Sequence, residues 1–539
     1  MRIDAVQVDG EHLSLSDVVA VAREDARAEL APAAVAAMEA SRALVARIIA
    51  RGDIVYGINT GFGDLARVAI PTEQLDQLQR NLVRSHAAGV GALMPRDAVR
   101  AMLLLRANAL AKGCSGVRPV VAQRLLDLLN HGITPRVPEQ GSVGASGDLA
   151  PLAHIALVLI GEGRATVDGE ADGAGLPGDE ALRRRGLAPL TLVAKEGLAL
   201  INGTQQMTAL GALALHDAEI LLETAEVAAA ASLEGLRGTD MPFADAIHAA
   251  RPHPGQRRVA ARLRALLAGS EILPSHRDPA CDPRVQDPYS VRCAPQVLGA
   301  SWDALDPVRR TLAIEINSAT DNPLCFAPPQ PPNPGGSIAE GRVLSGGNFH
   351  GQPVAIMLDL LKIAVAEVAS LSERRTYLLL DPSRSGLPPF LAASPGLDSG
   401  FMAAHYSAAA LVSENKGFAH PASVDSLPTS AGMEDHVSMG PVAAAGAGRI
   451  CANTARVLAI ELLCAAEGVE RQSPLQPGRG VVECVERLRA AVPPLTADRV
   501  LADDIERVVA LIRAGAFRLP HYAPDGHSPP ELGEPGGAE

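Results

Sequence analysis

Residues 202–235 read NGTQQMTALGALALHDAEILLETAEVAAAASLEG. Leu210, Leu213, Ile220, Leu221 and Val227 recur mostly at three- and four-residue intervals, which gathers them largely on one face of a helix. Ala and Leu fill many of the other positions, and both are strong helix formers. The bias extends over all 539 residues: 47% are hydrophobic but only 3% aromatic, with one Trp, five Tyr and eight Phe. Sheet-rich cores draw on β-branched and aromatic side chains, so this composition points to a mostly α protein whose loops carry the chemistry. At roughly 150 residues per domain the length admits three or four units, although long helical chains also run as one body.

Towards the N-terminus, Ser14-Leu15-Ser16-Asp17 supplies a cap and an early acid. A first helix is expected to run from there towards Pro32, and a second to end at Gly52. The glycines of DIVYGINTGFGDLA, residues 53–66, mark a loop. Helices are expected again through 71–130, with Pro95 at a start and Gly113 and Gly132 at ends. Residues 135–163 read as a loop feeding a buried helix, and 164–175 as a hairpin-like stretch. Towards the C-terminus, long helices are expected near 303–318, 351–380, 401–417, 437–470 and 496–515. FAPPQPPNPGGSIAEG, residues 326–341, cannot be helix and is expected to be mobile. The organisation read from this pattern is an N-terminal domain over 1–200, a long-helix bundle over 201–519 and a disordered tail over 520–539.

Formal charge is −13 and no basic block occurs, which argues against nucleic acid as a partner. The seven cysteines are widely spaced with no CxxC, and this usage suits a reducing compartment. The N-terminal residues carry acids and lack an apolar secretion core. His154 interrupts one apolar run, and Asp359, Lys362 and Glu367 break another, so neither reaches the roughly 20 residues of a membrane span. A soluble cytoplasmic protein without membrane contact is expected. With no HExxH and no Cys/His cluster, no metal site is expected either.

The stretch GSVGASGDL, residues 141–149, has two readings. The plain one is a tight turn or an anion nest at a helix N-terminus. A phosphate loop would continue with Lys and then Ser or Thr, whereas here Asp148 and Leu149 follow. The sharper reading makes Ala145-Ser146-Gly147 a reactive tripeptide. The unobstructed Gly147 nitrogen attacks the Ala145 carbonyl to close a five-membered ring, and loss of the Ser146 hydroxyl as water leaves an exocyclic methylene. That product is an electrophile, which no ordinary side chain supplies.

Seven further segments accompany this one: YGINTGFG at 56–63, NLVRSHAAGVG at 81–91, KEGLALINGTQ at 195–205, VQDPYSVRCAPQVLGA at 285–300, NSATDNPL at 317–324, GGNFHG at 346–351 and SVDSLPTSAGMEDHVSMG at 423–440. With them the chain resembles the aromatic amino acid ammonia-lyases, most closely the histidine ammonia-lyase (histidase) branch. The resemblance implies a mainly α, histidase/fumarase-like architecture with a long-helix central bundle and a smaller N-terminal domain. It also implies that Ala145, Ser146 and Gly147 become the 4-methylidene-imidazol-5-one (MIO) prosthetic group, that no external cofactor is needed, and that the chain forms a homotetramer acting on a small amino acid. The implied activity is non-oxidative elimination of ammonia from L-histidine to give trans-urocanate.

By the same resemblance Tyr56 is the general base, Asn202 orients the MIO carbonyl, and Tyr289 lies near the MIO and the substrate amine. Arg292 clamps the α-carboxylate, for which a guanidinium offers two parallel donors. Phe349 and Gln286 line the pocket, while His86 and Glu434 select the substrate. Each of these also has an ordinary packing or surface reading. A carboxylate at Glu434 suits an imidazole N–H and has no comparable task beside a phenyl ring. Two departures bear on the substrate: Gly432-Met433 stand where histidases usually carry Asn-Gln, and His405-Tyr406 where they carry Gln and a small apolar residue. A modified histidine such as ergothioneine, another aromatic amino acid, or 2,3-aminomutase chemistry therefore remain alternatives.

Overall fold

The computed structural model describes residues 3–522 apart from 62, 66, 171–172, 279, 281, 283 and 328–340. The loop expected to be mobile, over 328–340, and the tail expected to be disordered, from 523 onward, lie outside the described residues. The chain forms two compact units, the first built from residues 1–213, 309–359 and 421–445 and the second from 214–308, 360–420 and 446–539. Helices dominate both, and the strands form only two- and three-stranded sheets.

In the first unit, β1 (Ala5–Val8) pairs in parallel with β2 (Arg27–Leu30). Between them α1 (Leu15–Arg23) starts at Ser14, whose hydroxyl accepts the Asp17 N–H while Asp17 answers with its carboxylate, a reciprocal cap. The expectation that this helix runs towards Pro32 is wrong: it stops at Arg23. Asp25 takes a left-handed φ of +58° that turns the chain, and the Asn130 side chain then holds both the N–H and the carbonyl of Ala28 beside β1. Tertiary pairing overrides local helix propensity there.

Then follow α2 (Pro32–Arg51), α3 (Leu75–His86), α4 (Arg96–Ala111) and α5 (Pro119–Asn130). Every residue of α4 from Ala98 to Ala111 is buried, as befits a helix packed by neighbours on all sides, including α1, α2 and α5. The loop 53–66 is anchored from beneath by Ile58, which packs with Leu44, Val45, Ile48 and Cys325. α6 (Leu149–Leu159), α7 (Gly178–Arg184) and α8 (Glu196–Ile201) complete the scaffold, with a small antiparallel sheet of Ile133–Pro135, Arg164–Val167 and Leu176–Pro177.

The long helices α9 (Gln205–Gly235), α13 (Ala294–Glu315), α14 (Gln352–Leu380) and α17 (Gly440–Glu470) each contribute residues to both units. The second unit adds α10 (Asp245–Ala250), α11 (Pro254–Leu266), α12 (Tyr289–Arg292), α15 (Pro382–Ser385), α16 (Met402–Phe418), α18 (Arg479–Arg489) and α19 (Leu501–Arg513). No helix among the described residues is long and apolar enough to cross a membrane.

Buried charges cross-link this second core. Glu226 accepts from Trp302 Nε1 at 2.6 Å and pairs with Arg262 at 2.8 Å. Arg375 and Glu461, both fully buried, are joined by an Nη2–Oε2 bond of 2.8 Å, and Ser232 donates to the same carboxylate at 2.7 Å. Removing one member of such a pair strands the other. Arg375→Met is therefore expected to cost about 3–5 kcal/mol in chemical unfolding, whereas Arg375→Met combined with Glu461→Leu should recover most of it. Equal losses in the single and the double variant would show that the pair contributes through something other than mutual neutralisation.

Candidate active site

The turn before α6 brings together residues distant in sequence. Ala145 and Gly147 are buried and Ser146 is half-buried, so the serine is the accessible member of the tripeptide. Gly147 has a φ of +73°, and a Cβ there would sit 2.2 Å from the Gly203 carbonyl oxygen; only glycine fits. The two glycines form a short parallel bridge, and the Asp148 N–H donates to Gly203 O at 2.6 Å. One residue earlier, Asn202 Nδ2 donates to the Ser146 carbonyl at 2.8 Å, while Asn202 Oδ1 is buried without a hydrogen-bond partner among the described residues.

From another stretch of the same unit, Glu434 Oε1 accepts from Ser146 Oγ at 2.8 Å. Its Oε2 accepts from Thr429 Oγ1 at 2.6 Å, and the backbones of Thr429 and Glu434 bridge each other. The carboxylate is thus fixed by its own tight loop. Ser438 and Met439 close the turn, with Ser438 Oγ donating to Gly144 O at 3.3 Å and the Met439 N–H to Val143 O at 3.0 Å.

Asp148 was absent from the sequence-based site. Its carboxylate accepts the Gln206 and Met207 N–H groups at 2.8 and 3.0 Å, at the head of α9, and lies 3.3 Å from Ser142 Oγ, which also reaches Gly147 O. Full burial pushes its carboxyl up to about 7, against the pull of those three donors. The signal was available: an acid placed directly between a glycine turn and an apolar helix.

Ring closure of the tripeptide would join the Gly147 nitrogen to the Ala145 carbonyl carbon and keep the Ser146 carbonyl. The residues present fit that group. Glycine alone is tolerated at 147, an amide donor already bears on the retained carbonyl, and the serine that would carry the methylene is the accessible one.

The first unit also holds Tyr56, half-buried in a loop whose next residue, Gly57, is pressed against Pro323 and Leu198. His86 ends α3, and its Nδ1 lies 2.9 Å from Leu82 O. Because a carbonyl oxygen can only accept, Nδ1 is the donor in that contact. Phe349 is half-buried beside Asn348, whose amide donates to Ala319 O. In the second unit Tyr289 and Arg292 stand together on α12. The guanidinium lies 4.5 Å from the Tyr289 ring centre, and Arg292 Nε donates to Asp287 O at 3.0 Å. Tyr289 is 70% exposed and Gln286 is exposed as well. Among the described residues no group of three or more His, Cys, Asp and Glu could hold a metal ion.

Residues 13–490 match the aromatic amino acid lyase family. The chain belongs to that family. It is 55% identical over 520 residues to histidine ammonia-lyase of Anaeromyxobacter dehalogenans, covering 96% of this chain and 100% of the relative. The crystal structure of histidine ammonia-lyase from Trypanosoma cruzi superposes with a TM-score of 0.87 at 43% identity, covering 97% of this chain and 96% of the other. A tyrosine aminomutase from Streptomyces globisporus superposes with a TM-score of 0.88 at 40% identity, covering 97% and 99%. The mainly helical fold is therefore that of the aromatic amino acid lyases.

The raised Asp148 carboxyl carries a signed pH prediction. Burial favours the protonated acid in the folded state, so the group costs nothing below the ordinary carboxylate range and increasingly more as pH rises from about 4 to about 7. Asp148→Asn, which keeps an acceptor for the α9 N–H groups, should gain Tm relative to the parent across that window. A difference in Tm that stays flat from pH 4 to 8 would contradict the assignment.

Proposed function

We propose that this aromatic amino acid lyase acts as a histidine ammonia-lyase, converting L-histidine to trans-urocanate and ammonia through an MIO group formed from Ala145-Ser146-Gly147. The observation that carries the reading is the Ser146–Glu434 contact of 2.8 Å, which sets a carboxylate beside the serine that becomes the electrophile. A carboxylate there complements an imidazole N–H and has nothing to bond on a phenyl ring. The full-length likeness to histidine ammonia-lyases supports the same substrate.

When formed, the MIO would supply an electrophile for the substrate amino group and so make ammonia a better leaving group. The chain's residues do the rest. Asn202 donates to the Ser146 carbonyl, from where its amide would withdraw charge from the group. Tyr56 removes the β-proton, and Arg292 takes the carboxylate with Nη atoms that have no hydrogen-bond partner among the described residues. Tyr289 serves the amine, while Phe349, Gln286, His86 and Glu434 shape the pocket. Assembly as a homotetramer is part of the proposal, supported by exposed large side chains on α14: Ile356, Ile363 and Tyr377 are 47%, 45% and 43% exposed. Localisation in the cytoplasm completes it, consistent with the lack of any disulfide among the described residues.

Ring closure and dehydration each release one water, so intact mass should fall short of the sequence by two waters, and Ser146→Ala should be unable to form the methylidene. Active protein with unmodified mass would overturn the MIO reading.

Substrate choice is tested by ammonia release from histidine, ergothioneine, phenylalanine and tyrosine, with products examined for β-amino acid. Histidine should be preferred, and Glu434→Gln should lower kcat/KM for it by roughly 30-fold to several-thousand-fold, far more than for phenylalanine. Activity confined to ergothioneine, or β-histidine as main product, would replace histidine elimination with one of the alternatives. Light scattering should report a tetramer, and a fully active monomer would refute the assembly.

A further inference from the structure

Arg106 sits in the middle of α4 with its side chain fully buried. A buried guanidinium is normally matched to a carboxylate, because an uncompensated charge in the interior is costly. Arg106 is not. The acid that influences it is Asp321, and Asp321 is already bonded to the fully buried Lys195 at 2.6 Å. Its hydrogen bonds go to neutral acceptors: Nη1 donates to Asn202 O at 2.7 Å and to Gln205 Oε1 at 3.0 Å. Nε and Nη2 are buried with no hydrogen-bond partner among the described residues. Desolvation lowers its pKa to about 10, which leaves it cationic at neutral pH.

The neighbours of this cation matter more than its cost. Asn202, whose carbonyl it holds, is the residue whose side-chain amide donates to the Ser146 carbonyl. Gly203, which bridges Gly147, lies so close that a Cβ there would come within 2.5 Å of Arg106 Nη1. Gln205 is held from its other end by Thr320 Oγ1 at 2.9 Å. The segment 202–205 is therefore fixed from behind by one guanidinium and presents its front to the reactive tripeptide.

We propose that Arg106 is a positioning residue for the electrophile: it sets the Asn202–Gly203 segment against Ser146-Gly147, and its uncompensated charge strengthens, through the Asn202 amide, the pull on the Ser146 carbonyl. The inference rests on the MIO reading above. A charge of this kind acts without reorganisation at the moment of reaction, which is where buried electrostatics are most effective.

The test uses the full-length protein and Arg106→Lys, Arg106→Gln, Arg106→Met, Asn202→Ala and the double variant Arg106→Met/Asn202→Ala. Intact mass, the near-ultraviolet difference spectrum against Ser146→Ala, and kcat and KM are read for each. Arg106→Gln and Arg106→Met should either retain the precursor mass or show the difference band displaced in the direction seen for Asn202→Ala. Their kcat should fall on the order of 10²-fold with KM nearly unchanged. Arg106→Lys, which keeps the charge and one donor, should keep the parent mass and band and recover most of kcat. The double variant should lose little more than Asn202→Ala alone, because the two act through one contact. Parent-like band and kcat in Arg106→Gln, or strictly additive losses in the double variant, would overturn the proposal. An unmodified mass in the parent protein would instead overturn the MIO reading itself.

Discussion

The contact on which the site depends is the short bridge between Gly147 and Gly203, with Asp148 N–H on Gly203 O at 2.6 Å. It joins the turn before α6 to the turn before α9, and neither can be described without the other. On one side Gly147 must lack a Cβ because the partner carbonyl occupies that space; on the other Gly203 must lack one because Arg106, Gln205 and Thr320 do. The approach of two backbones fixes where Ser146 and Asn202 meet. The amide of Asn202 can bear on the Ser146 carbonyl because the glycines beside each are in register. Asp148 extends the same join, since its carboxylate ties the first N–H groups of α9 to the turn that precedes α6.

Around this join the first unit is unusually rich in buried charge for so apolar a chain. Arg106, Asp148 and the Lys195–Asp321 pair are all fully buried, and Thr204 donates to Glu315 close by. Hydrophobic replacements would remove the desolvation cost of these groups, and a stability argument alone gives no reason to keep them. Their arrangement is more informative. Lys195 and Asp321 neutralise each other, whereas Arg106 and Asp148 end on backbone groups of the segment that faces the tripeptide. In the second unit Glu226 with Arg262, and Glu461 with Arg375, are closed pairs. Pairing there staples Ala-rich helices that offer little side-chain volume for interlocking. In the first unit Arg106 and Asp148 instead hold backbone beside the Ala145-Ser146-Gly147 turn.

Much of this was legible in the sequence, for identifiable reasons. Period and composition reveal helices whenever a helix is long, as in Gln205–Gly235 and Gly440–Glu470, because a buried face leaves a repeating mark. Arg27–Leu30 left none: four residues of ordinary helix propensity become strand only because β1 and Asn130 are waiting beside them. The unit structure is similarly non-local, since the first unit gathers all of residues 1–200 with two later stretches that no linear pattern links to it. At the site, the tripeptide was readable because its chemistry requires three residues in a row. Asp148 and Arg106 were not singled out, because the importance of each is defined by backbone groups some 58 and 96 positions away. The nearest sequence signal for Arg106 was an arginine inside the apolar run MLLLRANALA.

The geometry also separates the parts of the site that must be constant from those that can vary. Ser146, Asn202 and the two glycines are tied to one another through backbone groups, so replacing any of them would disturb the bridge itself. Glu434 is held differently: Thr429 anchors it within a loop of its own, and Met433 beside it is 64% exposed with no bond to the tripeptide. Such a loop can exchange side chains without disturbing the bridge beneath it. A tyrosine aminomutase shares this fold at 40% identity, so the fold alone does not fix the substrate. The departures at Gly432-Met433 lie in this replaceable loop. On the proposed reading they bear on which side chain is accepted, and they leave the tripeptide, Asn202 and the cation behind it untouched.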